Sequence, residues 1–242
     1  MNTGKNFIFI TEQVKSYFRF LAENRCPGFE CSPESLEIVK NWGKWPAVRP
    51  ASRKKASSPE TPETIRRDIG DCHRCKLSQS RMNIVFGTGN PGARLMFVGE
   101  APGYEEDQSG EPFMGEAGEL LTRIIQAMKL TREEVYLCNI IKCRPPGNRE
   151  PKYTEIARCL PFLERQIRAV APEFVCALGD FAARALLKTN RPFSAIRGRF
   201  HNYMGIKVMP TFHPALLLQE PGKKRETWHD MQQLMKALGI EK

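Results

Sequence analysis

No apolar run in this sequence approaches the roughly 20 residues needed to span a bilayer, so no transmembrane helix is expected. The early stretch NFIFI, residues Asn6–Ile10, is too short for a secretory signal and lacks a cleavage site, so a cytoplasmic protein is expected. No internal repeat is present. The H-x-E and P-C-x-x-C pair of a zinc deaminase is also missing: CHRC (Cys72–Cys75) has no preceding proline and no upstream H-x-E. Acidic residues are in deficit, 27 Asp and Glu against 37 Lys and Arg, giving a formal net charge of +10 and a pI near 9.3. Such a balance favours a polyanionic partner.

What remains is a chain of 242 residues, 41% of them hydrophobic, enough for one packed domain with an extension. Eight cysteines in a cytoplasmic chain point to reduced thiols or a metal site, not to a disulfide framework. Residues 1–62 form the expected extension. Thr11–Glu23 can make a helix with Val14, Phe18 and Leu21 on one face. Residues 42–62 carry WPAVRPASRKKASSPETP, without apolar periodicity, and read as a solvated linker or a basic arm that touches DNA non-specifically.

Residues 63–242 alternate strand and helix. Strands are expected at Arg94–Gly99, Val135–Asn139, Phe174–Leu178 and Lys207–Thr211. Helices are expected at Glu116–Met128, Tyr153–Val170, Phe181–Lys188 and Lys224–Leu238. This order predicts an α/β fold, a three-layer α/β/α sandwich around a mostly parallel four-stranded sheet. Ligands of such sheets bind beyond the carboxyl ends of the strands. Glu100, Asn139 and His213 each stand at or just past a strand end, so one crevice can collect all three.

One feature runs against the basic character. The stretch LMFVGEAPGYEEDQSGEPFMG, Leu95–Gly115, gathers Glu100, Glu105, Glu106 and Asp107 where a strand meets a loop. Four cysteines also stand out. Cys72 and Cys75 form C-x2-C; Cys143 and Cys159 follow after 67 residues as C-x15-C. Four thiolates at this spacing suit either tetrahedral zinc or an iron–sulfur cluster, and spacing does not choose. Cys138 and Cys176, inside strands, read as core residues, and the Cys26 and Cys31 pair is a weak signal.

GEAPGYEED, GEPFMGEAGELL, NIIKCRPPGNREP, CLPFLERQI and HPALLL occur in this order from Ile69 to the C-terminus. Together they resemble the family 4 uracil-DNA glycosylases. The resemblance implies excision of uracil from DNA, an α/β/α sandwich, and a [4Fe–4S] cluster on Cys72, Cys75, Cys143 and Cys159. It further implies that Phe113 stacks on the flipped uracil and that Glu106 lies near uracil C5, crowding out a thymine methyl. Asn139 would pair with O4 and N3–H, and His213 would donate to O2. Glu100 would stabilise the cationic sugar or orient water. The best-studied branch of the superfamily has a water-positioning Asp where this chain has Ala101, which leaves the water-activating group open. A cross-linking branch has an extra histidine before the second motif, and none stands beside GEPFMG. Leu217 in HPALLL reads as a wedge for the hole left by the flipped base, or as helix core. Lys223, Lys224 and Arg225 in PGKKR offer charge to phosphates. The expected protein is a monofunctional, monomeric hydrolase acting on uracil-containing DNA. The alternatives are a non-catalytic iron–sulfur DNA-binding module and a glycosylase with a wider range of deaminated bases.

Overall fold

The computed structural model describes residues 60–240. The expected helix at Thr11–Glu23, the linker up to residue 59 and the Cys26 and Cys31 pair lie outside the described residues.

The first helix, α1 (Pro62–Ile69), begins inside the stretch expected to be linker. Thr61 caps it: its hydroxyl accepts from the Thr64 amide, while the Thr64 hydroxyl accepts from the Thr61 amide. Proline at the first helical position completes a strong start signal. Ile65 and Ile69 pack with Phe86 and Phe162, and Glu60 pairs with Arg165 at 2.6 Å. The domain therefore includes residues before the expected boundary at 63. The reason is that ETPETI reads as linker by composition but as a capped helix by position.

The sheet has six strands: β1 (Thr88–Gly89), β2 (Leu95–Gly99), β3 (Tyr136–Asn139), β4 (Phe174–Leu178), β5 (His201–Tyr203) and β6 (Ile206–Thr211). Their spatial order is β1-β3-β2-β4-β6-β5. The four inner strands are the expected ones and all are parallel, with Gly99 opposite Asn139 and Leu178 opposite Thr211. The expected count of four is corrected by two short edge strands that pair antiparallel, β1 on β3 and β5 on β6. Two or three residues carry no readable alternation, and short edge strands limit further pairing.

The inner strands are apolar throughout because both faces are covered. Alternate residues divide between two cores. Met96, Val98, Cys138, Val175, Ala177 and Val208 pack under α4 (Tyr153–Val170) and α5 (Asp180–Leu187). Leu95, Phe97, Leu137, Cys176 and Met209 pack under α3 (Gly115–Ala127) and α8 (Lys224–Leu238). This is the expected three-layer sandwich. Cys138 and Cys176 are core residues. Three short helices complete the description: α2 (Tyr104–Ser109), α6 (Phe193–Ile196) and α7 (Pro214–Gln219). No helix among the described residues is long and apolar enough to cross a membrane.

Candidate active site

Parallel pairing aligns the carboxyl ends of β2, β3 and β6, so the residues following them meet in one place. A cavity of about 530 Å³ opens there, lined by Glu100, Ala101, Glu106, Phe113, Asn139 and His213 among others. All six positions proposed from sequence for the chemistry and the uracil pocket share it.

Asn139 ends β3, and its residue is only 2% exposed. Its backbone carbonyl accepts from the ammonium of the fully buried Lys142 at 2.7 Å. Its carboxamide has no hydrogen-bond partner among the described residues. Because Asn139 lines the cavity, its amide donors and acceptor stay open to a ligand. Gly99 explains how the amide reaches the pocket. A methyl group there would lie 2.4 Å from Asn139 Oδ1 and 2.8 Å from Phe113 Cζ. The missing side chain lets the amide and the aromatic ring converge over the strand end. Gly99→Ala should therefore displace both and lower the uracil excision expected from the resemblance roughly 10²-fold, the scale of an ångström-sized misplacement. Kinetics with a uracil oligonucleotide, alongside circular dichroism to confirm the fold, would check it.

Phe113 is 6% exposed and has φ of 55°, a conformation rare for a side chain of its size. Its loop is held from two sides. Arg132, half-buried, donates to the carbonyls of Pro112 and Phe113 and to the Thr122 hydroxyl. Gly118 allows the Phe113 carbonyl to come within 1.9 Å of where a methyl group would sit. Arg132 was not legible as a site residue, since no motif contains it. Gly118 was visible only as one more glycine in GEPFMGEAGELL.

The acidic strand end separates into four roles. Glu106 lines the cavity, but both its oxygens are engaged, one by the Gly103 amide and one by the Met114 amide, each at 2.8 Å. It ties α2 to the Phe113 loop as well as forming the wall. Burial pushes its carboxyl up, while those amides pull the other way. Asp107 is buried and accepts from the amides of Met82 and Asn83. Glu105 is exposed. Glu100 has no such partners among the described residues, and burial raises its pKa, with the nearby charge of Glu150 adding to the effect. Glu150 shares a second, larger cavity with Glu100 and His213, a neighbour the motifs did not reveal.

His213 caps α7. Its Nδ1 accepts from the Ala215 amide at 3.2 Å, which leaves the proton on Nε2. The residue is partly open to the cleft, yet its ring lies deep enough that burial lowers its pKa to about 4. The imidazole is neutral at pH 7 and presents one N–H. Its ring centroid is 6.3 Å from that of Phe113. The end of β6 that carries His213 is pinned by Asp230, which accepts from Thr211 at 2.7 Å and pairs with Arg197 at 2.8 Å.

The remaining DNA-facing expectations fare unevenly. Leu217 is 1% exposed and turns toward α3 and α8, so it does not present a wedge. Helical rotation in α7 points its neighbours outward instead: Leu218 is 37% exposed and Leu216 lines the cavity shared by Glu100 and His213. Lys224 and Arg225 are exposed, whereas Lys223 turns back to Glu226 at 3.4 Å and to the Phe212 ring.

Cys72 and Cys75 lie just past α1, Cys143 follows β3, and Cys159 sits in α4. Burial pushes the Cys143 thiol up to about 12 and the Cys159 thiol to about 11. Smaller contributions come from neighbouring thiols: Cys159 and Cys75 act on Cys143, and Cys75 and Cys72 act on Cys159. Cys143 and Cys159 are thus each within electrostatic reach of two others of the four. Arg81 donates toward Cys143 Sγ at 3.6 Å and Arg74 toward Cys72 Sγ at 3.4 Å. Among the described residues no three His, Cys, Asp or Glu side chains converge closely enough to hold a single metal ion.

The family model of the Uracil DNA glycosylase superfamily matches residues 86–232, more than half of the chain. The chain belongs to this superfamily. It is 40% identical over 185 residues to a type-4 uracil-DNA glycosylase of Saccharolobus solfataricus, covering 73% of this chain and 86% of that one. It is 42% identical over 162 residues to a type-4 enzyme of Thermotoga maritima, covering 66% and 84%. A type-5 uracil-DNA glycosylase of Pyrobaculum aerophilum is more distant, 32% identical over 152 residues and covering 56% of this chain and 67% of that one. The superfamily match includes the whole uracil-pocket constellation and Cys143 and Cys159, whereas Cys72 and Cys75 precede it.

Proposed function

We propose that this protein is a monofunctional uracil-DNA glycosylase that flips uracil out of DNA and hydrolyses its C1′–N1 bond, leaving an abasic site. The observation that carries this is the Asn139 carboxamide, which lines the cavity without a hydrogen-bond partner among the described residues and meets Phe113 over Gly99. One carboxamide can donate to O4 and accept from N3–H of uracil, and cytosine presents the opposite pattern. Phe113 supplies a stacking face. As the glycosidic bond breaks, its electron pair moves to the uracil N1 and O2 side, where the neutral His213 donates its Nε2 proton in a hydrogen bond. Positive charge grows on the sugar. Glu100, with neither carboxylate oxygen held by another of the described residues, faces that charge and orients the water that adds to C1′. Ala101 supplies no carboxylate, so this role falls to Glu100. Among the described residues no lysine lines the cavity as a nucleophile, which supports hydrolysis without strand cleavage.

The reading includes a [4Fe–4S] cluster on Cys72, Cys75, Cys143 and Cys159. The electrostatic reach of Cys143 and Cys159 to the other two thiols supports it, as do guanidinium donors aimed at two of the sulfurs. A cage of several metal atoms also keeps its ligands farther apart than one ion does. Bound there, the cluster supplies a cross-link between the end of α1, the exit of β3 and α4, while the reacting groups belong to the protein. Anaerobically prepared protein should absorb visible light and contain about four irons per chain. Cys72→Ala should lose iron and thermal stability first, whereas zinc without iron would overturn the assignment.

The protein would act as a cytoplasmic monomer. Incubation with a uracil-containing oligonucleotide tests the main reading. The strand should break only after alkali treatment. Breakage without alkali contradicts the monofunctional assignment, and no breakage at all contradicts uracil excision.

A further inference from the structure

Most arginines around the cleft are already committed. Arg149 pairs with Glu155, Arg184 with Asp180, Arg197 with Glu226 and Asp230, and Arg132 with the Phe113 loop. Arg144 differs. Its guanidinium carbon stands 5.0 Å over the ring of Tyr104, and its Nε donates to Asn148 Oδ1 at 2.8 Å. No carboxylate pairs with it among the described residues, and its Nη1 and Nη2 groups take no partner there. The side chain is oriented by two contacts that leave its charge and both terminal nitrogens available.

Its place gives the orientation a purpose. One wall of the uracil cavity includes Gly103, Glu105 and Glu106, beside Tyr104; the other includes Pro145, Asn148 and Arg149, beside Arg144. The stacked pair therefore joins the two walls. Tyr104 is 52% exposed, an unusual amount for an aromatic ring that serves packing alone. A flipped nucleotide stays joined to its strand by a phosphate on each side, so phosphate must stand near this mouth whenever the cavity is filled. Glu100, Glu105 and Glu106 repel that phosphate, and a cation held nearby offsets them. A planar guanidinium with two free N–H groups matches two phosphate oxygens. Being oriented in advance, it loses little side-chain freedom on binding.

We infer that Arg144 is a phosphate-binding residue for the DNA strand beside the flipped nucleotide, and that Tyr104 and Asn148 hold it in position. This rests on the uracil-excision reading for the location of the DNA.

The test is binding of a short duplex bearing one tetrahydrofuran abasic analogue, measured over a salt series, with excision followed separately at saturating uracil-DNA. Arg144→Ala should weaken binding about tenfold at low salt and reduce the slope of log K against log salt by about 1. Arg144→Lys should keep the slope and lose part of the affinity. Tyr104→Ala, on an exposed ring, should weaken binding a few-fold with the slope unchanged. The double variant should bind no more weakly than Arg144→Ala alone, because the ring acts through the guanidinium. Excision at saturating DNA should stay within about twofold of the parent for both single variants. Parental affinity and slope in Arg144→Ala would overturn the inference, as would a Tyr104 loss that adds fully to it. A fall in saturated excision with binding intact would overturn it too, placing Arg144 in the chemistry. Failure of the parent to excise uracil, by contrast, would strike the functional reading and leave the binding comparison standing.

Discussion

His213→Ala should lower the rate of uracil excision roughly 10²–10³-fold, the loss typical of removing one preorganised donor to a developing anion, while binding of uracil-DNA changes little. The asymmetry follows from when the charge exists. Uracil O2 gains negative charge as the C1′–N1 bond breaks, so the Nε2 hydrogen bond strengthens on the way to the transition state. Single-turnover rates and binding of a non-cleavable analogue separate the two quantities. An equal loss in both would place His213 in ground-state binding instead. The same residue sets a pH expectation. Burial lowers its pKa to about 4, against about 6.5 when unfolded. Between those values the unfolded chain binds a proton that the folded chain does not. Its contribution to stability is therefore complete above about pH 6.5 and declines as pH falls toward 4. Thermal unfolding across that window should show a dependence that His213→Gln removes.

Asn139→Asp should cut uracil excision severely and yield, at most, weak excision of cytosine. In its ionised form the introduced carboxylate repels O4 of uracil and accepts from the N4 amine of cytosine, reversing a pairing that discriminates by about 1–3 kcal/mol. The new carboxylate would also stand in a buried pocket beside the half-buried Glu100 and Glu106. Burial and like charge both favour its protonated form, which can still serve uracil poorly. The rate on uracil should therefore recover in part as pH falls. Excision from paired oligonucleotides carrying uracil or cytosine at one position, followed by alkali, reads both effects. Parental activity on uracil in this variant and in His213→Ala would mean that neither residue acts on uracil.

The strength of the pocket lies less in these two side chains than in what holds them. Asn139 is placed by parallel pairing with Gly99 and by a backbone bond from Lys142; Phe113 by Arg132, Gly118 and Glu106; His213 by the amide of Ala215 and by the Asp230 network. Of these supports, Glu106 alone was named as a site residue from sequence, and for a different task. Supporting residues carry no spacing rule, because they approach the site from elsewhere in the chain.

By itself the amino-acid order determined the layered architecture, since the continuous apolar strands and 3.6-residue helices each have one way to bury their faces. It determined the strand-end placement of Glu100, Asn139 and His213 for the same reason: parallel strands put all their carboxyl ends on one side. Tertiary structure alone decided the two edge strands, too short to show a period, and the inward turn of Leu217, where one residue of rotation separates a buried side chain from an exposed one. It also decided the neutral Nε2–H form of His213, which depends on a neighbouring amide and on depth. The division of labour among the four acids was likewise spatial. They are near-identical in sequence, and become a loop tie, a segment anchor, a solvated charge and a free carboxylate only through the donors that folding brings to each.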